Sequence, residues 1–209
     1  MIEIEKRVLI NKSKLNEIHN NILKEGTLKS ELKRFTIVKV DNKNFIPNKD
    51  SLLDIKIRTT KDESLFTIKS GNWHSDSSRI ENEIHINHDE ITNLVSMLIS
   101  LGYKYFVVMY VTRRKYTHKG LTITLDSYHH MDECLMEVEI LADENSDKVL
   151  AENKINDFIS SFNFSPMTSS ETIGFITKIN MIKETQIDFE KLDIKDWESK
   201  WKQFILCNI

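Results

Sequence analysis

Ile2-Glu3-Ile4-Glu5-Lys6-Arg7-Val8 alternates between apolar and charged residues with hardly a break. Successive side chains of an extended chain point to opposite faces, so Glu3, Glu5 and Arg7 share one side of a strand while Ile2, Ile4 and Val8 share the other. Met136-Glu137-Val138-Glu139-Ile140 repeats the device near the end of the strand-rich region. Two strands therefore each present a pair of carboxylates at a two-residue step, a platform of hard oxygen donors suited to a hard cation.

The same rhythm recurs outward from these two stretches. Strand-like alternation is found at 2–10, 35–40, 53–59, 65–69, 79–86, 105–116, 121–126 and 135–141, which makes eight strands. Helical periodicity is confined to 13–25, with Ser13 as cap, 89–101, with Gly102 as the stop, and 147–162. Residues 42–51 and 70–78 have the Asn, Pro, Asp, Gly and Ser content of loops, and Trp73-His74 reads as an exposed pair in the second of them. Beyond Ser165-Pro166 the pattern turns irregular. Leu192, Trp197, Trp201, Phe204 and Ile205 then fall at spacings that share one helical face, which predicts a docking helix near 189–205. The expected organisation is one domain over 1–165 and a C-terminal helical extension over 166–209 packed on it.

Bulk properties exclude more than they suggest. A net charge of −3 over 209 residues gives no general attraction to nucleic acid or to an anionic membrane. Cys134 and Cys207 lie far apart and lack the spacing of a disulfide framework or a zinc site, which fits free thiols in a reducing compartment. The N-terminal residues are charged where a secretory signal is apolar, and the apolar region 94–111 is broken by Gly102 and Lys104. A cytoplasmic, non-membrane protein is expected, monomeric or homodimeric. His129-His130 reads as a loop pair rather than a metal site, because adjacent side chains on an extended chain diverge. Tyr116 and Tyr128 read as packing residues.

Each predicted strand has one charged face. Lys56 and Arg58 oppose Ile55 and Ile57, Glu81 and Glu83 oppose Ile80 and Ile84, and Asp126 follows Thr122 and Thr124 opposite Leu121, Ile123 and Leu125. Ordinary solvated faces give this pattern too. The segregation argues for a site, since acids pair on the first and last long strands and bases pair in the middle. If these faces line one closed interior, it holds Glu3, Glu5, Glu81, Glu83, Asp126, Glu137 and Glu139 against Arg7, Lys56, Arg58, Lys69, Arg79 and one or both of Arg113 and Arg114. Desolvating an ion costs several kcal/mol, so such a cavity must be wet and filled by a compensating ligand. A polyphosphate with a divalent metal matches both signs of charge.

The residues resemble the CYTH superfamily, the triphosphate tunnel metalloenzymes, over about 1–141. Glu3-Ile4-Glu5-Lys6-Arg7 is similar to the family's opening Glu-x-Glu-x-Lys, with Arg7 in the lysine's place. Lys56-Ile57-Arg58, Thr67-Ile68-Lys69 and Glu81-Asn82-Glu83 resemble its basic, lysine and acidic strands. Val111-Thr112-Arg113-Arg114 is similar to the strand carrying a tunnel arginine, where the register admits either Arg113 or Arg114. The step from Leu121–Asp126 to Glu137–Glu139 is close to the thiamine triphosphatase branch. The family's Tyr-x-Asp-Thr element is replaced by Phe-Thr-Ile-Val-Lys-Val-Asp at 35–41, and the glycines before its last Glu-x-Glu by His129-His130-Met131-Asp132-Glu133.

The resemblance implies an α+β fold, an eight-stranded antiparallel β-barrel forming a triphosphate tunnel, with flanking helices. It also implies metal-dependent hydrolysis of a small-molecule triphosphate, whether inorganic triphosphate, thiamine triphosphate or a nucleoside triphosphate. Mg²⁺ or Mn²⁺ would be held by Glu3, Glu5, Asp126, Glu137 and Glu139. Arg7, Lys56, Arg58, Lys69, Arg79, Arg113 and Arg114 would hold phosphate, with Glu3, Glu5, Arg7, Lys69 and Arg113 catalytic and Glu81 and Glu83 as further tunnel acids. Two other readings share these residues: a class IV-type adenylate cyclase making cyclic AMP, and a binding module without turnover.

Overall fold

The computed structural model describes residues 2–48, 51–71, 80–142 and 148–208. Strand β1 (Ile2–Asn11) pairs antiparallel with β8 (Glu133–Ala142) along its whole length, from Ile2 opposite Ala142 to Asn11 opposite Glu133. On the far side of β8 lies β7 (Leu121–Tyr128), with Thr122 opposite Glu139. Strand β6 (Tyr105–His118) reaches β7 through Lys119 and Gly120, both at positive φ (49° and 78°), as a two-residue turn matched to the twist of its strands requires. The order continues through β2 (Thr27–Val40), β3 (Leu53–Thr59), β4 (Ser64–Ser70) and β5 (Ile80–Ile86) as β1-β8-β7-β6-β2-β3-β4-β5. A short β9 (Gln186–Asp188) adds to β6.

Two compact units divide the chain, residues 1–32 with 112–172 and residues 33–111 with 173–209. Each has its own core. In the first, the apolar rows of β1, β7 and β8 (Val8, Ile123, Leu125, Met136, Val138) meet Ile18 and Ile22 of α1 (Leu15–Leu23) and Ile155 and Ile159 of α3 (Lys148–Ser160). In the second, Phe35, Ile37, Ile55 and Ile57 meet Ile91, Val95 and Leu98 of α2 (Ile91–Ser100) and Trp197 and Trp201 of α5 (Ile194–Asn208). Phe35 stacks on Tyr110 at 4.6 Å, with Trp201 edge-on at 5.5 Å. The docking helix expected near 189–205 therefore buries both its tryptophans.

Helix ends follow local chemistry. Asn11, rather than Ser13, caps the 3-10 turn leading into α1, accepting the Ser13 amide at 2.9 Å. Gly102, at φ 98°, ends α2 as expected. A helix absent from the sequence reading, α4 (Ser169–Asn180), begins with a capping box: the Thr168 amide donates to Glu171 at 2.7 Å and the Glu171 amide to the Thr168 hydroxyl at 3.2 Å. Among the described residues no helix is long and apolar enough to cross a membrane.

Candidate active site: two charged sheet faces

In the first unit, register fixes who meets whom. Glu5 lies opposite Glu139 and Arg7 opposite Glu137 across β1 and β8; Glu139 and Glu137 in turn face Thr122 and Thr124 of β7. Cross-strand partners point to the same face, so all six share one side of the sheet, while Val8, Met136 and Val138 go to the core. Arg7 donates from Nε to Glu137 Oε1 at 2.9 Å and from Nη2 to Glu5. Arg113 grips Asp126 with two bonds, Nε to Oδ1 at 2.6 Å and Nη2 to Oδ2, and its Nη2 also reaches Glu137 Oε2 at 3.3 Å. Thr124 donates to that same oxygen at 3.4 Å. Glu137 thus takes one arginine on each carboxylate oxygen.

The environment strengthens these bonds. Asp126 keeps only 3% of its side-chain surface and Glu137 19%, so the charges sit where water screens them weakly. Burial works against the Arg113 charge, yet the Asp126 hydrogen bond and the charges of Asp126 and Glu137 outweigh it and hold its pKa above the usual value. Arg7 shows the same balance, with Glu137 and Glu5 overcoming desolvation. Both stay cationic at any working pH.

In the second unit the charged face belongs to β3, β4 and β5. Asp54 lies opposite Lys69 and Lys56 opposite Thr67, and on the next pair Thr67 faces Glu83 and Lys69 faces Glu81. Lys56 pairs with Asp54 at 2.6 Å and Lys69 with Glu81 at 2.8 Å. Arg58 lies 3.3 Å from Glu83 and 3.8 Å from Glu81. The Thr67 hydroxyl, on a residue with no exposed surface, accepts from Arg58 Nη1 at 3.0 Å and donates to Glu83 Oε2 at 3.1 Å. Arg58 and Lys69 therefore cluster with Glu81 and Glu83, and Lys56, held by Asp54, shares their face.

Arg113 and Arg114 lie on opposite faces of β6. Arg114 points to the other face of β6 and pairs with Glu31 at 3.2 Å, so it does not join Asp126 and Glu137. Tyr116 shares that side; its hydroxyl lies 2.7 Å from His19 Nδ1, and burial pushes its pKa up to about 12. Tyr116 is fully buried, as a packing residue should be, and Arg114 has its parity. That parity is the signal that separates the two arginines. Thr67, Thr124 and Glu31 carry no sequence signal as partners of the charged residues, because a hydroxyl or single acid on a charged row has no pattern of its own. Arg79, Trp73 and His74 lie outside the described residues, and of Glu3 only the backbone, opposite Leu141, is described.

A hard divalent cation fits the first face by its donor chemistry. Like charges directly opposite on neighbouring strands repel, and Glu5 and Glu139 are so placed; a cation between them would offset that cost. Among the described residues no three acid, histidine or cysteine side chains gather as a metal cage. Mg²⁺ does not need one, since it takes one or two carboxylates and fills its octahedron with water and phosphate oxygens.

A model of the CYTH domain matches residues 1–167. No curated protein matches the chain. Among solved structures, the PH1819 protein from Pyrococcus horikoshii OT3 is similar at a TM-score of 0.64 and 22% identity, over 85% of this chain and 99% of that one. A putative adenylate cyclase from Vibrio parahaemolyticus gives 0.59 and 16%, over 84% and 98%. The putative adenylyl cyclase HpAC1 from Hippeastrum, for which a dominant triphosphatase activity is reported, gives 0.57 and 15%, over 83% and 96%. At such identities the likeness concerns the fold. The family match over residues 1–167 and an antiparallel sheet of eight strands in one hydrogen-bonded order, with flanking helices, agree: the chain belongs to the CYTH family, whose fold is the tunnel barrel.

Proposed function

We propose that this protein hydrolyses a small-molecule triphosphate with the help of Mg²⁺ or Mn²⁺. The observation that carries the reading is the ladder Glu5–Glu139, Arg7–Glu137 and Arg113–Asp126, which sets paired acids and held arginines on one face. Members of the family are generally catalytic and divalent-metal dependent, which supports the same reading.

Arg7 and Arg113 bind phosphoryl oxygens, and Glu137 and Asp126 aim their planar donor forks, which match phosphate geometry bidentately. On the second face, Lys56, Arg58 and Lys69 are the bases suited to phosphate, Arg58 being aimed by Thr67. Glu5 and Glu139 would hold the metal, with Glu3 next on the same strand row. When bound, the metal neutralises charge on the phosphate oxygens and orients substrate. The arginines stabilise the charge that builds on the transferred group in a loose, in-line displacement by water. Each keeps its carboxylate contacts and offers its remaining N–H donors to phosphate.

The test is phosphate release from inorganic triphosphate, thiamine triphosphate and ATP with Mg²⁺ or Mn²⁺. Release is expected from at least one, falling about 10²–10³-fold in Glu139→Gln, the scale of losing one preorganised electrostatic contact. Cyclic AMP and pyrophosphate from ATP would instead establish a cyclase. Tight metal-dependent binding with no product would establish a binding module.

A further inference from the structure

The hairpin turn joining β6 and β7 carries His118, Lys119 and Gly120, on the side of β6 away from Arg113. Lys154 of α3 stretches over this turn, so that a Cβ on Gly120 would lie 3.2 Å from its Nζ. Lys119 pairs with Glu25 at 2.5 Å. The His118 ring packs on Phe158 at 5.2 Å, and its Nδ1 is buried without a hydrogen-bond partner. Burial lowers the His118 pKa, Lys119 and Lys154 lower it further, and Glu25 opposes them.

These groups border a cavity of about 580 Å³ between α1, α3 and the hairpin. Lys24 adds a third ammonium, Asp157 a second carboxylate, and Ile22, Leu121 and Phe162 an apolar wall. Three amines outnumber two acids, and pairing of Lys119 with Glu25 leaves Lys24 and Lys154 against Asp157. A buried ring nitrogen without a partner costs free energy that a ligand acceptor or donor recovers. An anion therefore answers both features. The cavity is larger than a bare inorganic anion needs and lies within the usual 300–1,000 Å³ range of small-molecule sites. Phosphate suits the amines better than a single carboxylate, because lysine binds it as a point charge and it carries up to two negative charges.

We propose that this cavity binds a small phosphomonoester bearing a planar apolar body, the chemistry of a nucleoside monophosphate, at a site on the opposite side of the first unit's sheet from Arg113 and Glu137. The inference does not depend on the triphosphatase reading. The experiment titrates the full chain with AMP, adenosine and orthophosphate while following the His118 imidazole and the amides of residues 118–121 by NMR. AMP is expected to shift these signals saturably and to bind more tightly than either fragment. Lys154→Ala should weaken it about tenfold, the loss expected of one charge-assisted contact. Glu137→Gln should leave it unchanged. The proposal is overturned if AMP leaves the His118 signals unmoved, if Lys154→Ala binds AMP as wild type does, if orthophosphate binds as tightly as AMP, or if the shifts appear only on the charged faces.

Discussion

The two charged faces are built from the same alternation but hold their charges differently. On the first, acids outnumber bases, Asp126 is buried to 3% of its side chain, and both arginines are gripped from two sides. On the second, bases and acids pair one with another, and Glu81 and Glu83 lie on β5 at 35% and 40% exposure. A buried, bidentate pair is rigid and costly to break; a half-exposed pair is cheap to rearrange. The first face suits groups that must be in place before substrate arrives, and the second suits bases that exchange a carboxylate for phosphate as it binds.

The largest effect expected from this contrast follows Asp126→Ala, which leaves the Arg113 guanidinium buried with only a long contact to Glu137. Breaking such a pair costs about 3 kcal/mol or more. Urea unfolding separates the units by probe, since Trp197 and Trp201 are buried in the core of the second unit, and ellipticity reports both units. The ellipticity midpoint is expected to fall further than the fluorescence midpoint. Equal falls would make the two cores one cooperative structure and weaken the contrast.

That contrast was only half legible in the sequence. Strand parity was readable because core rows of Ile, Val and Leu alternate with charge: 53–59 matches β3 residue for residue, and 121–126 and 135–141 fall inside β7 and β8. The first half of β2 was lost because Leu28, Ser30, Leu32 and Arg34 are only half-buried and give a weak apolar row. Three-residue β9 is too short to show a period, and α4 carries its start signal in Thr168 and Glu171 rather than in a strong apolar stripe. Which face a residue occupies was legible; which acid grips which base was not, because that depends on register between strands distant in sequence. Arg7 and Glu137, 130 residues apart, are the clearest case.

A smaller effect is expected from Arg58→Ala on the second face. Its contacts to Glu83 and Glu81 are partly exposed, and such pairs contribute about 1 kcal/mol or less. Stability by either probe should therefore barely move. With inorganic triphosphate as substrate, KM should rise about tenfold while kcat changes less, as when a contact made equally in ground and transition states is removed. A fall in kcat alone would place Arg58 with Arg7 and Arg113 as a transition-state group, and a loss of stability matching Asp126→Ala would erase the difference between the faces.

The smallest effect concerns acid sensitivity, which the first unit carries through His118. Burial lowers this imidazole's pKa below its ordinary 6.5, with Lys119 and Lys154 adding to the effect and Glu25 opposing it. Lys24 and Asp157 are the other charges bordering its cavity. Between the folded value and 6.5 the unfolded chain holds a proton that the folded chain does not, so stability rises with pH across that window. The contribution is complete above about 6.5 and is lost as pH falls toward the folded pKa. Unfolding by ellipticity at about pH 5.5 and about pH 7.5 should show a larger acid loss in wild type than in His118→Gln, since glutamine has no proton to gain in that range. Equal losses in the two proteins would mean that His118 titrates alike in the folded and unfolded chain.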